Sequence, residues 1–296
     1  MILNLMDTEK FKALGAPSIP EKQKLAEINK LINNPNALHH MANGMIFANV
    51  DIRLIDIDTD YQRIPKDINL LKSKWDNDKM DAIKISYRDG RLFAVDGFHR
   101  MFFLMLAACY DCCARILFNL TKEDEAQKFS TQDDAKTNLS LLDTYKANLV
   151  WHDPIDTTIK EICDFYHLNV LDSRQSMRPS LSACRPIVKQ YGKKGLEWCF
   201  DILHSAKWTE IPGGCQHRNL YALSHAYNHG LSKQKLDEYK NRLIEIMSNF
   251  DQFTICMLGS TLSRSTDKRA MMNAAILALA DGSKNAGNLR SYSCPA

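Results

Sequence analysis

The residues that concentrate the most chemistry in the fewest positions are Asp96-Gly97-Phe98-His99-Arg100, where an apolar strand, Arg91 to Val95, gives way to an apolar helix starting near Met101. A glycine at such a junction lets the backbone turn tightly, and the first amides of a helix carry the positive end of its dipole. With His99 and Arg100 as side-chain donors, the pattern predicts a phosphate-binding constellation. Gly97 admits close approach of an oxyanion, Arg100 offers a bidentate contact, and His99 donates a second hydrogen bond. Asp96 then holds a metal ion bridging the phosphates, or acts as a base. The same residues also read as an ordinary strand-turn-helix, with Asp96 capping the helix and Arg100 paired to a surface carboxylate.

Upstream stands Asp58-Thr59-Asp60-Tyr61-Gln62-Arg63, and Thr121-Lys122-Glu123-Asp124-Glu125-Ala126 follows the next strand. The order of these features resembles the ParB/sulfiredoxin superfamily, whose members hold nucleotide phosphates with a Gly-x-His-Arg or related motif at a strand-to-helix junction. Within it the layout is most similar to ParB-like proteins of phages and mobile elements. It also resembles the DGQHR proteins associated with DNA modification, which have Gln where this chain has Phe98. The resemblance covers residues 45 to 170.

It implies a small mixed sheet with helices that binds ATP or CTP with Mg2+, and NTP hydrolysis or phosphotransfer in a DNA-linked role. Gln62 would orient the nucleotide, and Arg63 would contact phosphate or base. Asp60, paired with Asp58, would sit at a magnesium position or serve as the general base, a role that Asp96 could also fill. Sulfiredoxins place a catalytic cysteine immediately before His-Arg; Phe98 cannot form a thiolate, so that chemistry is not expected. Two alternatives stay open: a non-catalytic phage protein that binds a host defence or DNA-processing complex, and a metal-dependent nuclease.

The elements that must position the motif are legible in period and turn chemistry. Ile46 to Ile57 has β character, Lys66 to Trp75 has helical spacing, and Ala82 to Tyr87 pairs with Arg91 to Val95 across Asp89-Gly90, a two-residue hairpin turn. A helix is predicted from His99 to Tyr110 and a strand from Ala114 to Phe118. From Thr121 the pattern is helical: a start at Thr121, a second helix capped at Asn138 to Ser140 and ending at Leu149, then Ile155 to Tyr166, Ser180 to Tyr191, Gly195 to Ala206, His217 to Asn228, Ser232 to Phe250 and Asp267 to Ala280. Glu21 to Asn33 is an amphipathic helix, and the last residues form a loose tail. The fold class expected is α/β followed by an all-α C-terminal domain. The divisions are 1–43 as a helical extension, 44–122 as the nucleotide-binding domain and 123–296 as the helical domain.

At 296 residues and 45% apolar content the chain can bury two cores. A net charge of +3 leaves room for a local basic face without requiring one. Nine dispersed cysteines, with no secretory leader or apolar run of membrane length, point to reduced thiols in the cytoplasm and to no membrane partner. Cys109, Cys112 and Cys113 have zinc-like spacing but no second pair, so no metal site is expected there or at His39-His40. Thr157 to Tyr166 and the basic stretch after it could form a helix-turn-helix variant, with Arg185, Lys189 and Lys193 as DNA phosphate contacts. Gly213-Gly214-Cys215-Gln216-His217-Arg218 is similar to the sulfiredoxin motif, but an inserted Gln216 displaces the histidine around a helix start.

Overall fold

In the computed structural model, residues 2–4, 17–34, 39–40, 46–62, 81–131, 139–172 and 174–283 are described. The predicted helix Lys66 to Trp75, Arg63 and the tail beyond 283 lie outside them. The chain forms two compact units, Met1–Asp153 and Pro154–Ala296. The first is a mixed α/β unit and the second is helical.

The first unit runs β1 (Ile2–Asn4), α1 (Glu21–Asn33), β2 (His39–His40), β3 (Ile46–Asp51), β4 (Ile55–Asp58), β5 (Ile83–Arg88), β6 (Arg91–Asp96), α2 (Phe98–Leu106), β7 (Asp111–Phe118), α3 (Lys122–Ser130) and α4 (Leu141–Val150). The strand order is β1-β4-β6-β5-β7-β3-β2, with β4 parallel to β6, β5 parallel to β7 and the other neighbours antiparallel. The hairpin between β5 and β6 turns at Asp89 and Gly90 with φ of 54° and 76°, the two positive values its sequence requires.

The stretch of β character from Ile46 to Ile57 is two strands on opposite flanks of the sheet, parted by a 3₁₀ turn at Ile52–Leu54. The Asp51 carboxylate starts that turn by accepting from the Arg53 amide at 2.9 Å. So short a link reaches about 14 Å at most, whereas four strand spacings in a flat sheet come to about 19 Å. The sheet is therefore curled. Ala48, Val50, Ile55, Ile57, Ile83, Ile85, Ala94 and Ile116 consequently share one core with Ile28 of α1 and Met101, Phe102 and Met105 of α2. A second, smaller core joins Tyr61 to Ala126 and Phe129 of α3 and Ala147 of α4.

In the first unit two expectations change. The N-terminal segment is not only helical: Ile2–Asn4 pairs with β4 and His39–His40 pairs with β3, so it supplies edge strands too short to show a period. The sheet unit also extends to Asp153 rather than ending at 122, because α3 and α4 pack on Tyr61.

The second unit holds α5 (Pro154–Phe165), α6 (Leu181–Ser205), α7 (His217–Lys233), α8 (Leu236–Asn249), α9 (Gln252–Ser263) and α10 (Lys268–Asp281). α6 is broken at Gly192, as the two separate predicted helices imply. α7 runs past its predicted end at Asn228 and stops at Gln234, because Gly230 lies inside it against Leu236 and Tyr239. α9 has no counterpart among the predicted helices: Gly259 and its hydroxyl residues weaken the helical pattern, although Asp251 caps it by accepting from the Thr254 amide at 2.7 Å.

α9 and α10 cross closely at Gly259, where a Cβ would stand 1.8 Å from the Met271 carbonyl oxygen. Gly259→Ala is expected to destabilise the protein by about 1–3 kcal/mol through overpacking, read as a lower urea midpoint. An unchanged midpoint would mean that the two helices do not approach this closely.

Candidate functional site

Because β4 and β6 are parallel, their C-terminal ends lie at the same edge of the sheet, and the chain leaving each carries one of the two motifs. In open α/β sheets this is where ligands gather. Gln62 ties the motifs together. Its amide N–H donates to the Asp58 carbonyl at 2.9 Å, closing the turn after β4, and its side-chain Nε2 donates to the carbonyl of Ala94, two residues before Asp96. That contact orients the amide and leaves Oε1 buried without a hydrogen-bond partner among the described residues, in a side chain of a residue only 8% exposed.

At the end of β6, Gly97 takes φ 102° and precedes α2, whose first internal hydrogen bond runs from the Met101 amide to the Gly97 carbonyl at 3.0 Å. A side chain here meets two obstacles, the left-handed backbone and Ile83, whose Cγ2 would lie 2.6 Å from a Cβ. His99 is half-buried in the first turn. Arg100 donates to the Asp81 and Ala82 carbonyls and, at 3.1 Å, to Asp96 Oδ2. The carboxylate partner of Arg100 is thus the aspartate of its own motif, and the pair pins α2 to the start of β5. The structure brings Asp96, Gly97, His99, Arg100 and Gln62 to one edge; Arg63 falls outside the described residues.

Beside this edge is a charge network that joins the segments at 58–63 and 121–126 through Arg88, a residue nothing in the sequence marks. Asp58 and Glu125 are both fully buried, and Arg88 lies between them, 3.1 Å from Glu125 and 3.5 Å from Asp58, with its guanidinium 4.3 Å from the centre of the Phe93 ring. Lys122 pairs with Asp58 at 3.3 Å and also with Asp60, while the Tyr61 hydroxyl donates to Glu125 at 2.9 Å. Burial, reinforced by Glu125, pushes the Tyr61 hydroxyl well above its ordinary range. Burial pulls Arg88 down, but Glu125 and Asp58 outweigh it and the guanidinium ends raised. Lys122 behaves likewise, with Asp60 and Asp58 overcoming its desolvation. The hydrogen bond from Lys122 holds the Asp60 carboxyl below the usual carboxylate range, which makes it a poorer proton acceptor than a free aspartate. The one available signal was Thr121 with Asp124, a capping box that starts α3 and thereby sets where Lys122 and Glu125 fall.

In the second unit, two of the three predicted DNA contacts are already paired. Arg185 makes a bidentate pair with the buried Asp156, at 2.8 and 2.6 Å, and Lys193 lies 3.0 Å from Glu161; Lys189 is exposed. Gln216 is the N-cap of α7, so the glycine-rich segment before it is a helix start preceded by no strand. Burial pushes the Cys112 thiol up to about 12. Among the described residues no group of three or more His, Cys, Asp or Glu is placed to hold a metal ion, and no helix is long and apolar enough to cross a membrane.

No protein-family model, curated protein or solved structure matches the chain.

Arg88→Ala would leave the buried Glu125 without its cation and Asp58 with Lys122 alone, and is expected to cost about 3–5 kcal/mol of stability, the range for breaking one side of a buried pair, measured by urea unfolding. A loss within experimental error would show that water reaches Asp58 and Glu125. Because Asp60 has a depressed pKa in the folded state, its pairing stabilises the fold above the unfolded value of about 3.9 and is lost as pH falls through the lower folded value. The stability gap between wild type and Asp60→Asn should hold steady down to about pH 5 and close below about pH 4. A gap that widened on acidification would contradict the ion pair.

Proposed function

We propose that the edge formed by β4 and β6 binds a nucleotide, ATP or CTP, in a ParB/sulfiredoxin-like unit, and hydrolyses it or transfers its terminal phosphate in a DNA-linked role of the phage or mobile-element kind. The observation that carries this reading is the buried Gln62 Oε1 without a described partner, set beside a helix start whose glycine leaves no room for a side chain. A nucleotide would bring phosphate oxygens as acceptors and ribose hydroxyl or base amino groups as donors. The positive end of α2 and the Arg100 charge suit the first, and Gln62 Oε1 suits the second. Asp96 holds the Arg100 guanidinium in place, and the same carboxylate is the candidate base. Magnesium fits less well: Asp96 and Asp60 each face an internal cation, and no carboxylate cluster among the described residues would ligate it.

A second reading is favoured by one observation. Asp58, Asp60, Asp96 and Arg100 all have partners within the unit, as expected if the nucleotide site is vestigial and the protein acts by binding a host defence or DNA-processing complex. Calorimetry with ATP and with CTP, each with and without Mg2+, followed by a phosphate-release assay, separates the two. Arg100→Ala is expected to weaken nucleotide binding by about 1.5–3 kcal/mol, the range for hydrogen bonds to charged groups. Asp96→Asn should keep binding and lose turnover. Wild-type binding without turnover would favour the second reading, and no binding of either nucleotide would remove the first.

A further inference from the structure

We propose that the second unit carries a surface for single-stranded nucleic acid at one end of α7 and α10, with Arg218, Arg264, Lys268 and Arg269 meeting the phosphates and His217, Tyr221 and His225 stacking on the bases. It uses none of the residues of the nucleotide reading.

The two helices run in the same direction. Arg269, at the start of α10, lies 5.3 Å from the centre of the Tyr221 ring, and Asp281, at its end, lies 2.9 Å from Lys233 and 3.7 Å from His229 near the end of α7. Both N-termini therefore come to the same end of the unit. Arg264, Lys268 and Arg269 are exposed there, and the half-buried Arg218 donates to the neutral Gln252 Oε1 at 3.0 Å. Burial raises the Cys256 thiol while Arg218 and Lys268 both lie near enough to oppose it, and Arg269 adds to the lowering of His217, the neighbour of Arg218.

Among the described residues, the ion pairs that occupy Arg185, Lys193, Lys233, Lys240 and Arg242 have no counterpart at Arg218, Arg264, Lys268 or Arg269. The neighbouring carboxylates serve as helix caps: Asp251 accepts from the Thr254 amide at 2.7 Å, and Asp267 from the Arg269 amide at 3.1 Å. Cations so placed, without ion-pair partners among the described residues, suit an anionic ligand with several charges.

The aromatic groups narrow its chemistry. His217, Tyr221 and His225 recur every four residues on one face of α7. His217 and Tyr221 are stacked at 15° with ring centres 5.8 Å apart, and the centres of Tyr221 and His225 are 4.4 Å apart. Burial lowers both histidines, aided at His217 by Arg269, so that at neutral pH the rings offer π faces rather than charges. A ladder of rings flanked by cations suits unpaired bases on a phosphate backbone; in a duplex those base faces are already stacked on one another.

Fluorescence anisotropy of labelled oligothymidine, oligouridine and a DNA duplex, titrated without nucleotide over a KCl series, tests this. Wild type is expected to bind the single strands in a salt-dependent way. The Lys268→Glu, Arg269→Glu double variant should lose at least about tenfold in affinity, and its log–log salt slope should flatten by about 1.4, or 0.7 per lost phosphate contact. Tyr221→Leu should bind about 5- to 150-fold more weakly, and Tyr221→Phe should bind as wild type does, which separates stacking from packing. Lys189→Glu with Lys193→Glu should bind as wild type does. The exposed Lys268 and Arg269 keep the test valid if Tyr221→Leu fails to fold. The proposal is overturned if wild type shows no salt-dependent binding at low ionic strength, if it prefers the duplex, or if the reversals at 189 and 193 matter as much as those at 268 and 269.

Discussion

The first unit depends on Arg88 between Asp58 and Glu125. Two carboxylates taken out of water carry a desolvation cost of several kcal/mol each, which only close, well-oriented cations can offset. Arg88 lies between both, and Lys122 adds a second contact to Asp58. The arrangement joins the end of β4, the end of β5 and the start of α3 into one polar joint. Since Tyr61 donates to Glu125 and Gln62 bonds the Asp58 carbonyl, the segment that reaches the edge of β6 is held by the same joint.

A comparable joint fastens α1 to the sheet. Lys24 and Asp56 are buried against each other, and Arg91 reaches Asp56 at 3.0 Å while also meeting Glu21. Alternate residues of one short strand, Asp56 and Asp58, thus anchor helices from both ends of the unit's sequence. This limits chemistry as well as structure: Asp60, held by Lys122 below the usual carboxylate range, is a weaker base than its place in a motif suggests. At the edge of β4 and β6 the reverse condition holds at Gln62, a buried acceptor without a partner among the described residues, which costs free energy unless something binds there.

The second unit shows the same rule for positive charge. Arg185 and Lys193 share a sequence neighbourhood that reads as basic, yet α5 supplies Asp156 and Glu161 opposite them. Arg218 and the pair Lys268 and Arg269 stand 50 positions apart in the chain but come together through helix packing, with no carboxylate among the described residues in an ion pair to them. Charge density in sequence is therefore a poor guide to charge available at the surface.

The sequence by itself determined what depends on near neighbours. The turn at Asp89-Gly90, the cap and capping box at Ser140 and Thr121, the amphipathic Glu21–Asn33 and the strand-turn-helix at Gly97 follow from the conformational preferences and hydrogen bonds of residues a few positions apart. Only the tertiary structure decided the rest. The 3₁₀ turn that sends β3 and β4 to opposite flanks is set by pairing with β7 and β6, and α9 is held by its close crossing with Met271. Arg88 meets Glu125 across 37 positions of sequence and Asp58 across 30. Which charges end up paired depends on where packing brings distant segments together, and local propensity acts over too short a range to record it.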